Sequence, residues 1–323
     1  MRALVFDGET SLRELPTPAR DRETLIRVVK AGICGTDLAI AAGDYPVRTP
    51  LVLGHEIFGV VEKAPPGMEP GTRVVTEINV SCGACRFCGG GMRTHCSRVQ
   101  TLGISRDGGF ADCVSVPPEN LHAVPDGMSD ECAVFVEPLA AAVELTNMAP
   151  VEEGSSCAVM GPGRLGLLIL QVLKLRGASP LVALGRGDSK LALARSLGAD
   201  RSLKAEEAEQ AVEISDGGFD HVVEATGSPE GFSLALRLVR PRGTVHLKST
   251  HGRPASFDMT GAVVRELRIQ GSRCGRFEQA IPLLAEGLVR TSELVMHRFG
   301  LEGHSEAFRV ARSGEAVKVV LSP

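Results

Sequence analysis

The segment Gly161-Pro-Gly-Arg-Leu-Gly166 most constrains what this chain can become. It follows directly on the apolar run Ser156–Met160 and opens a second apolar run, Arg164 to Arg176, which Gly177 closes. The first run reads as a strand and the second as a helix. A strand that turns through glycines into a helix N-terminus is built to cradle a pyrophosphate. The first glycine makes the tight turn, the second lets the backbone approach the phosphates, and the third lets helix and strand pack closely. Gly161, Gly163, Arg164, Leu165 and Gly166 are the expected cofactor contacts. The alternation then continues. Leu181–Leu184, Asp220–Glu224 and Gly243–Leu247 read as strands, and Lys190–Leu197 and Gly231–Val239 as helices. Such a series predicts an α/β fold with a doubly wound parallel sheet.

The end of the second strand bears on the cofactor. An acid there, about twenty residues past the glycines, would bond the ribose 2′-hydroxyl of NAD. Here the chain reads Leu184-Gly185-Arg186-Gly187. The missing acid leaves room for a 2′-phosphate, which Arg186 can pair, so NADP is favoured over NAD. The competing reading makes Arg186 a solvated loop residue and gives the ribose to Asp188.

A chain of 323 residues is longer than one core usually supports, so two domains are expected. Residues 1–125 have a different texture, rich in Gly, Pro and short β-branched runs. Leu25–Lys30, Gly59–Glu62 and Arg73–Thr76 read as strands, with turn signals at Pro65-Pro66-Gly67 and Glu69-Pro70-Gly71. Residues 129–150 read as helical. The material after about residue 275 is too short for its own core and is expected to return to the first domain. The net charge of −4 comes with no basic block, which points away from nucleic acid and anionic membranes. No apolar run reaches the length of a membrane span, and the N-terminus reads as a strand and turn. The expected place is the cytoplasm.

Four cysteines, Cys82, Cys85, Cys88 and Cys96, crowd into one short segment. This spacing suits one tetrahedral zinc better than disulfides, which are dense mainly in small secreted chains. Cys113, Cys132, Cys157 and Cys274 lie among apolar or small residues and are expected to be buried. Cys34 remains, in Gly32-Ile-Cys-Gly-Thr-Asp37. Two further segments, Gly54-His55-Glu56 and Val136-Glu137-Pro138-Leu139, offer other candidate ligands. Taken singly, each has an ordinary core or helix-start explanation.

Taken together and in this order, these segments resemble the zinc-dependent medium-chain alcohol dehydrogenases, and within them the branch of sorbitol, threonine and glucose dehydrogenases. That branch carries Glu-Pro where others have a Cys ligand. The resemblance covers essentially the whole chain, including Glu224-Ala-Thr226-Gly-Ser228 and Met296-His-Arg-Phe299. It implies a GroES-like β-rich catalytic domain from residues 1–140 and 275–323, and a Rossmann domain over 141–274. It implies a catalytic zinc on Cys34 and His55, with Glu56 or Glu137 as third protein ligand. Asp37 would orient His55, Thr36 would relay the alcohol proton, and Lys190 and Thr226 would contact the cofactor. The ladder, closed by four thiolates, would hold a second, structural zinc.

The activity so implied is hydride transfer between a secondary alcohol, polyol or sugar, or its carbonyl, and NAD(P), by a homodimer or homotetramer. Ala39 stands where many relatives have a relay histidine. The alternatives are a zinc-free quinone or enone reductase and a catalytically silent NADPH-binding protein. The presence of Cys34, His55 and Glu137 argues against the first.

Overall fold

The glycine-flanked run at Gly161 lies at the centre of a parallel sheet. This computed structural model describes residues 1–65, 67–250 and 253–323, so Pro66 of the expected turn lies outside the described residues. The chain divides into two units. One comprises Met1–Glu137, Phe277–Gly287 and Thr291–Pro323; the other comprises Pro138–Arg276 and Leu288–Arg290.

The second unit is built on six strands. Their spatial order is Arg201–Lys204, Leu181–Gly185, Cys157–Met160, Phe219–Glu224, Val239–Leu247 and Arg268–Gly271. Every pairing is parallel. Numbered along the chain, the order is 3-2-1-4-5-6, the doubly wound arrangement. Central strands buried on both faces need apolar residues throughout, and Cys157–Met160 is buried at all four positions. The helices Arg164–Leu175, Asp188–Ser196 and Pro229–Leu238 connect the strands. The last of these has Pro229 in its first turn, and its cap Ser228 accepts the N–H of Gly231.

The first unit is mostly antiparallel. Its largest sheet runs Leu121–Ala123, Arg73–Thr76, Glu56–Lys63, Thr24–Gly32, Lys318–Ser322 and Val295–Gly300, with Cys113–Val116 also paired to Thr24–Gly32. The C-terminal strand thus lies beside the N-terminal sequence, where Val320 pairs with Gly32 and Leu321 with Ala31. A core including Leu4, Ile26, Ile33, Ile57, Phe110 and Phe308 fills this unit. Of the four cysteines expected to be buried, only Cys157 is; Cys113, Cys132 and Cys274 are half-buried. The Cys113 thiol faces Glu62 at 3.6 Å near the surface, and burial and that carboxylate push it up to about 11.

Candidate active site and metal centres

Cys34 stands at the N-cap of the helix Gly35–Ala42, and the sequence explains why the helix starts there. Asp37 returns its carboxylate to the Cys34 N–H at 2.8 Å, while the Cys34 side chain faces the Asp37 N–H in a capping box. The same carboxylate accepts the Gly54 N–H at 3.2 Å and lies 3.5 Å from His55 Nδ1. That last contact is ionic and falls short of an aligned hydrogen bond, so the buried Nδ1 has no hydrogen-bond partner. One buried acid therefore ties the Cys34 turn to the Gly54-His55 turn. Burial of the imidazole opposes its charge, but Asp37 and then Cys34 outweigh burial and raise His55 well above its usual value. A thiol and an imidazole held side by side over a buried carboxylate are the soft and borderline donors that zinc takes.

Glu56 is placed differently. Its carboxylate is buried and paired with Lys318, also buried. Glu137 opens the helix Val136–Met148. Among the described residues, three or more ligand atoms lie within 4.8 Å of one another in two groups: the cysteine ladder, and Glu77, His122 and Glu278. The Cys34 and His55 set does not converge this closely. In the second group the carboxylates flank opposite ring nitrogens of His122, Glu77 at 2.9 Å from Nε2 and Glu278 at 3.9 Å from Nδ1. That imidazole is already engaged on both edges.

The ladder is fully assembled. Cys85 Sγ lies 3.5 Å from Cys88 Sγ and 3.8 Å from Cys96 Sγ. Zinc–sulfur bonds of about 2.3 Å in a tetrahedron require sulfurs about 3.8 Å apart, so the residues fit the ion. The N–H groups of Cys82 and Arg98 each point at Cys96 Sγ from 3.3 Å. The backbone N–H groups of Cys88 and Ser97 draw the Cys85 thiol down to about 5, and that of Ala84, then the Arg98 side chain, draw Cys82 to about 7. Burial and the neighbouring thiols raise Cys88.

In the second unit, Met160 and Glu224 end neighbouring strands at the point where strand order reverses. Gly161 turns there at φ 81°, and a Cβ on it would meet the Ala225 carbonyl oxygen at 2.5 Å. A Cβ on Gly166 would meet the Gly161 carbonyl oxygen at 2.2 Å, whereas one on Gly163 would stand in open space. This is the division of labour expected of a pyrophosphate cradle. Glu224 accepts both the N–H and the hydroxyl of Thr226, at 2.8 and 2.5 Å, and so orders the facing turn.

At Gly185 a Cβ would press on Pro162 Cδ at 2.8 Å, so a side chain there would force the glycine turn to shift. Beyond it Lys190 shares its surroundings with Arg164 and Arg186; burial, then these two cations, lower its pKa. Asp188 is paired with Lys204, which also donates to the Arg186 carbonyl at 3.0 Å.

A GroES-like unit and a 3-2-1-4-5-6 dinucleotide unit define a nicotinamide-dependent oxidoreductase. Residues 20–126 match the family model of the alcohol dehydrogenase GroES-like domain, and residues 165–286 that of zinc-binding dehydrogenases. The sorbitol dehydrogenase of Halalkalibacterium halodurans is 33% identical, over 100% of this chain and 99% of its own. An L-threonine 3-dehydrogenase of Bacillus velezensis is 34% identical over the same shares. A zinc-binding dehydrogenase of Sinorhizobium meliloti 1021, solved bound to NADP, superposes with a TM-score of 0.93 at 29% identity, covering 100% of this chain and 99% of that one. The chain belongs to the zinc-binding alcohol dehydrogenase family, and it is an NAD(P)-dependent enzyme.

Sequence reasoning overlooked Lys318, Lys204 and the Gly32 position opposite Glu56. The available signal for Lys318 was one charge inside the apolar run Ala316–Leu321.

Proposed function

We propose that this enzyme oxidises a secondary alcohol, polyol or sugar, or reduces its carbonyl, with NADP as the preferred cofactor. The reading rests on the constellation of Cys34, Asp37 and His55, and it uses two zinc ions per chain. When bound, the catalytic zinc supplies a Lewis acid for the substrate hydroxyl, and the nicotinamide supplies the hydride acceptor. Cys34 and His55 would hold that zinc in the first unit, with Glu56 or Glu137 as third ligand, and the Asp37 carboxylate, 3.5 Å from Nδ1, would orient the imidazole. Thr36, in the first turn of the helix that Cys34 caps, takes the substrate proton. Ala39 offers no side-chain acceptor to which Thr36 could pass it. Cys82, Cys85, Cys88 and Cys96 hold the structural zinc.

The second unit binds the dinucleotide through Gly161–Gly166, Thr226 and Lys190. The cation cluster of Arg164, Arg186 and Lys190 supports NADP, since like charges gathered at one place are stabilised by a phosphate. Polyol and amino-alcohol relatives motivate the substrate class. A reduced four-thiol site fits the cytoplasm. An exposed apolar face on the helix Met259–Val264, next to the edge strand Arg268–Gly271, supports assembly into a homodimer or a tetramer of such dimers.

The test is His55→Ala with metal analysis. It should lose at least about a hundredfold in turnover and one of two zinc ions, while the ladder keeps its own. Retained turnover would mean that the catalytic metal lies elsewhere.

A further inference from the structure

Lys248 follows the strand Val239–Leu247 at its carboxyl end, and its side chain joins two other parts of the second unit. The ammonium lies 2.9 Å from the Ala141 carbonyl oxygen, 2.9 Å from the Ser272 carbonyl oxygen and 3.1 Å from the Ser272 hydroxyl. Three oxygens thus face the three N–H donors of one ammonium. Ala141 belongs to the helix Val136–Met148, and Ser272 directly follows the outermost strand, Arg268–Gly271. The same helix and the same segment meet again three residues on, where a Cβ on Gly275 would collide with the Ala140 carbonyl oxygen. The residue after Lys248, Ser249, accepts the Gly227 N–H on its hydroxyl at 2.7 Å. Two successive residues therefore link the segments that follow three neighbouring strands, Phe219–Glu224, Val239–Leu247 and Arg268–Gly271. All of these contacts lie in the second unit.

A doubly wound sheet binds a dinucleotide outside the carboxyl ends of its strands, one mononucleotide to each half. The adenosine ribose is met at the end of the second strand, Leu181–Gly185, so the half around that strand takes the adenosine nucleotide. The half whose strands end on Glu224, Leu247 and Gly271 then takes the nicotinamide nucleotide. We propose that Lys248 is a positioning residue for the nicotinamide: its ammonium fixes the segment 272–275 against the helix Val136–Met148, so that this half of the crevice is formed before the cofactor arrives. This rests on the reading that Gly161–Gly166 cradles the pyrophosphate. The segment 272–275 lies in neither helix nor strand. Such a stretch keeps many backbone states unless side chains hold it, and ordering it on binding costs affinity. Hydrogen bonds from a charged donor are the strong kind, and two of the three here end on backbone carbonyls. Gly185 and Arg186, which serve the adenosine half, lie on the far side of the strand Cys157–Met160. Loss of Lys248 is therefore felt by one half of the cofactor only.

The experiment titrates NADPH, NADH and the fragments adenosine 2′,5′-bisphosphate and ADP into the full chain by calorimetry. Lys248→Met should bind the reduced cofactor that wild type prefers at least about tenfold more weakly, and the fragments within about twofold of wild type. Lys248→Arg, which keeps a charged donor, should recover most of the loss. Wild-type cofactor affinity in Lys248→Met overturns the proposal. So does an equal loss for cofactor and fragments, which would make Lys248 a support of the whole unit. If Lys248→Met does not fold, Lys248→Gln goes through the same titrations and is judged by the same outcomes. Gly163→Val separates the proposal from the cradle reading. Gly163 has extended backbone, φ −92° and ψ −161°, and a Cβ on it would stand in open space, so this variant should fold while its side chain blocks the pyrophosphate. Cofactor binding of wild-type strength in Gly163→Val would remove the cradle and the proposal together. Loss of binding there, with wild-type binding in Lys248→Met, would remove the proposal alone.

Discussion

Gly185 shows how a single close contact keeps an acidic side chain from one position. Pro162, inside the glycine turn, fills the space that a side chain at Gly185 would need. No acid therefore stands at 185, and Arg186 follows it directly. Arg186 is exposed, and Lys190 is half-buried beside it and Arg164. Asp188, the one acid that would serve a ribose hydroxyl, is already paired with Lys204. A hydrogen bond to a charged group is worth about 1.5–3 kcal/mol. Arg186→Ala should therefore weaken NADPH binding by about tenfold or more and leave NADH within about twofold. Titration of both reduced cofactors by their fluorescence checks this. A parallel loss for both would place Arg186 on the pyrophosphate or on structure, not on a 2′-phosphate.

The strands and helices read most easily from sequence are those whose burial is decided locally. Arg73–Thr76 and Leu181–Gly185 announce themselves as short apolar runs between glycines or polar turns, and they fold as such. Arg201–Lys204 and Arg268–Gly271 carry no such run, because they lie at the two edges of the parallel sheet and are held by one neighbour each. The Lys318–Glu56 pair was illegible for a different reason: its partners are 262 residues apart. The ladder was legible because metal chemistry restricts residue type and spacing, whereas Cys34 and His55 stood out only through the family resemblance of the segments that carry them. The neighbouring strands Phe219–Glu224 and Val239–Leu247 carry another feature that only the fold reveals. His221 Nδ1 and His246 Nε2 meet at 3.0 Å, and the buried Nδ1 of His246 has no hydrogen-bond partner. Burial, then His221 and Lys248, push His246 down to about 3, and burial lowers His221 as well. A base whose folded pKa is depressed stays neutral in the fold but takes a proton when unfolded. Below about pH 6.5 the unfolded state binds more protons, so stability is full above that value and falls as pH drops toward 3. The loss from His246 approaches 1.4 kcal/mol per pH unit. Urea unfolding followed by circular dichroism at pH 7 and 5.5 should show this loss, and His246→Leu should lack that share of it. An unchanged slope in the variant would mean that other groups carry the acid sensitivity.

At the scale of the whole molecule, the parallel sheet ends on Arg268–Gly271, which among the described residues pairs with one strand only. Arg268–Gly271 presents one row of backbone donors and acceptors outward, a template for pairing with another strand. The helix just before it exposes Met259, Val263 and Val264 at 66%, 69% and 76%. Large apolar side chains gathered beside an open edge mark an interface more often than a solvated face. A second copy suits this edge better than an unrelated partner. Two copies related by a two-fold axis bring the same strand against itself in antiparallel pairing, and each apolar helix then meets its own counterpart. Replacing Val263 and Val264 with lysine would place like charges against each other across the axis and leave the chain's own core untouched, because neither side chain is buried in the monomer. Light scattering should then show wild-type protein at twice or four times the chain mass and the double variant at half the wild-type value. Both should keep the same metal content and the same circular dichroism. A double variant with unchanged mass would move the interface to another face of the molecule.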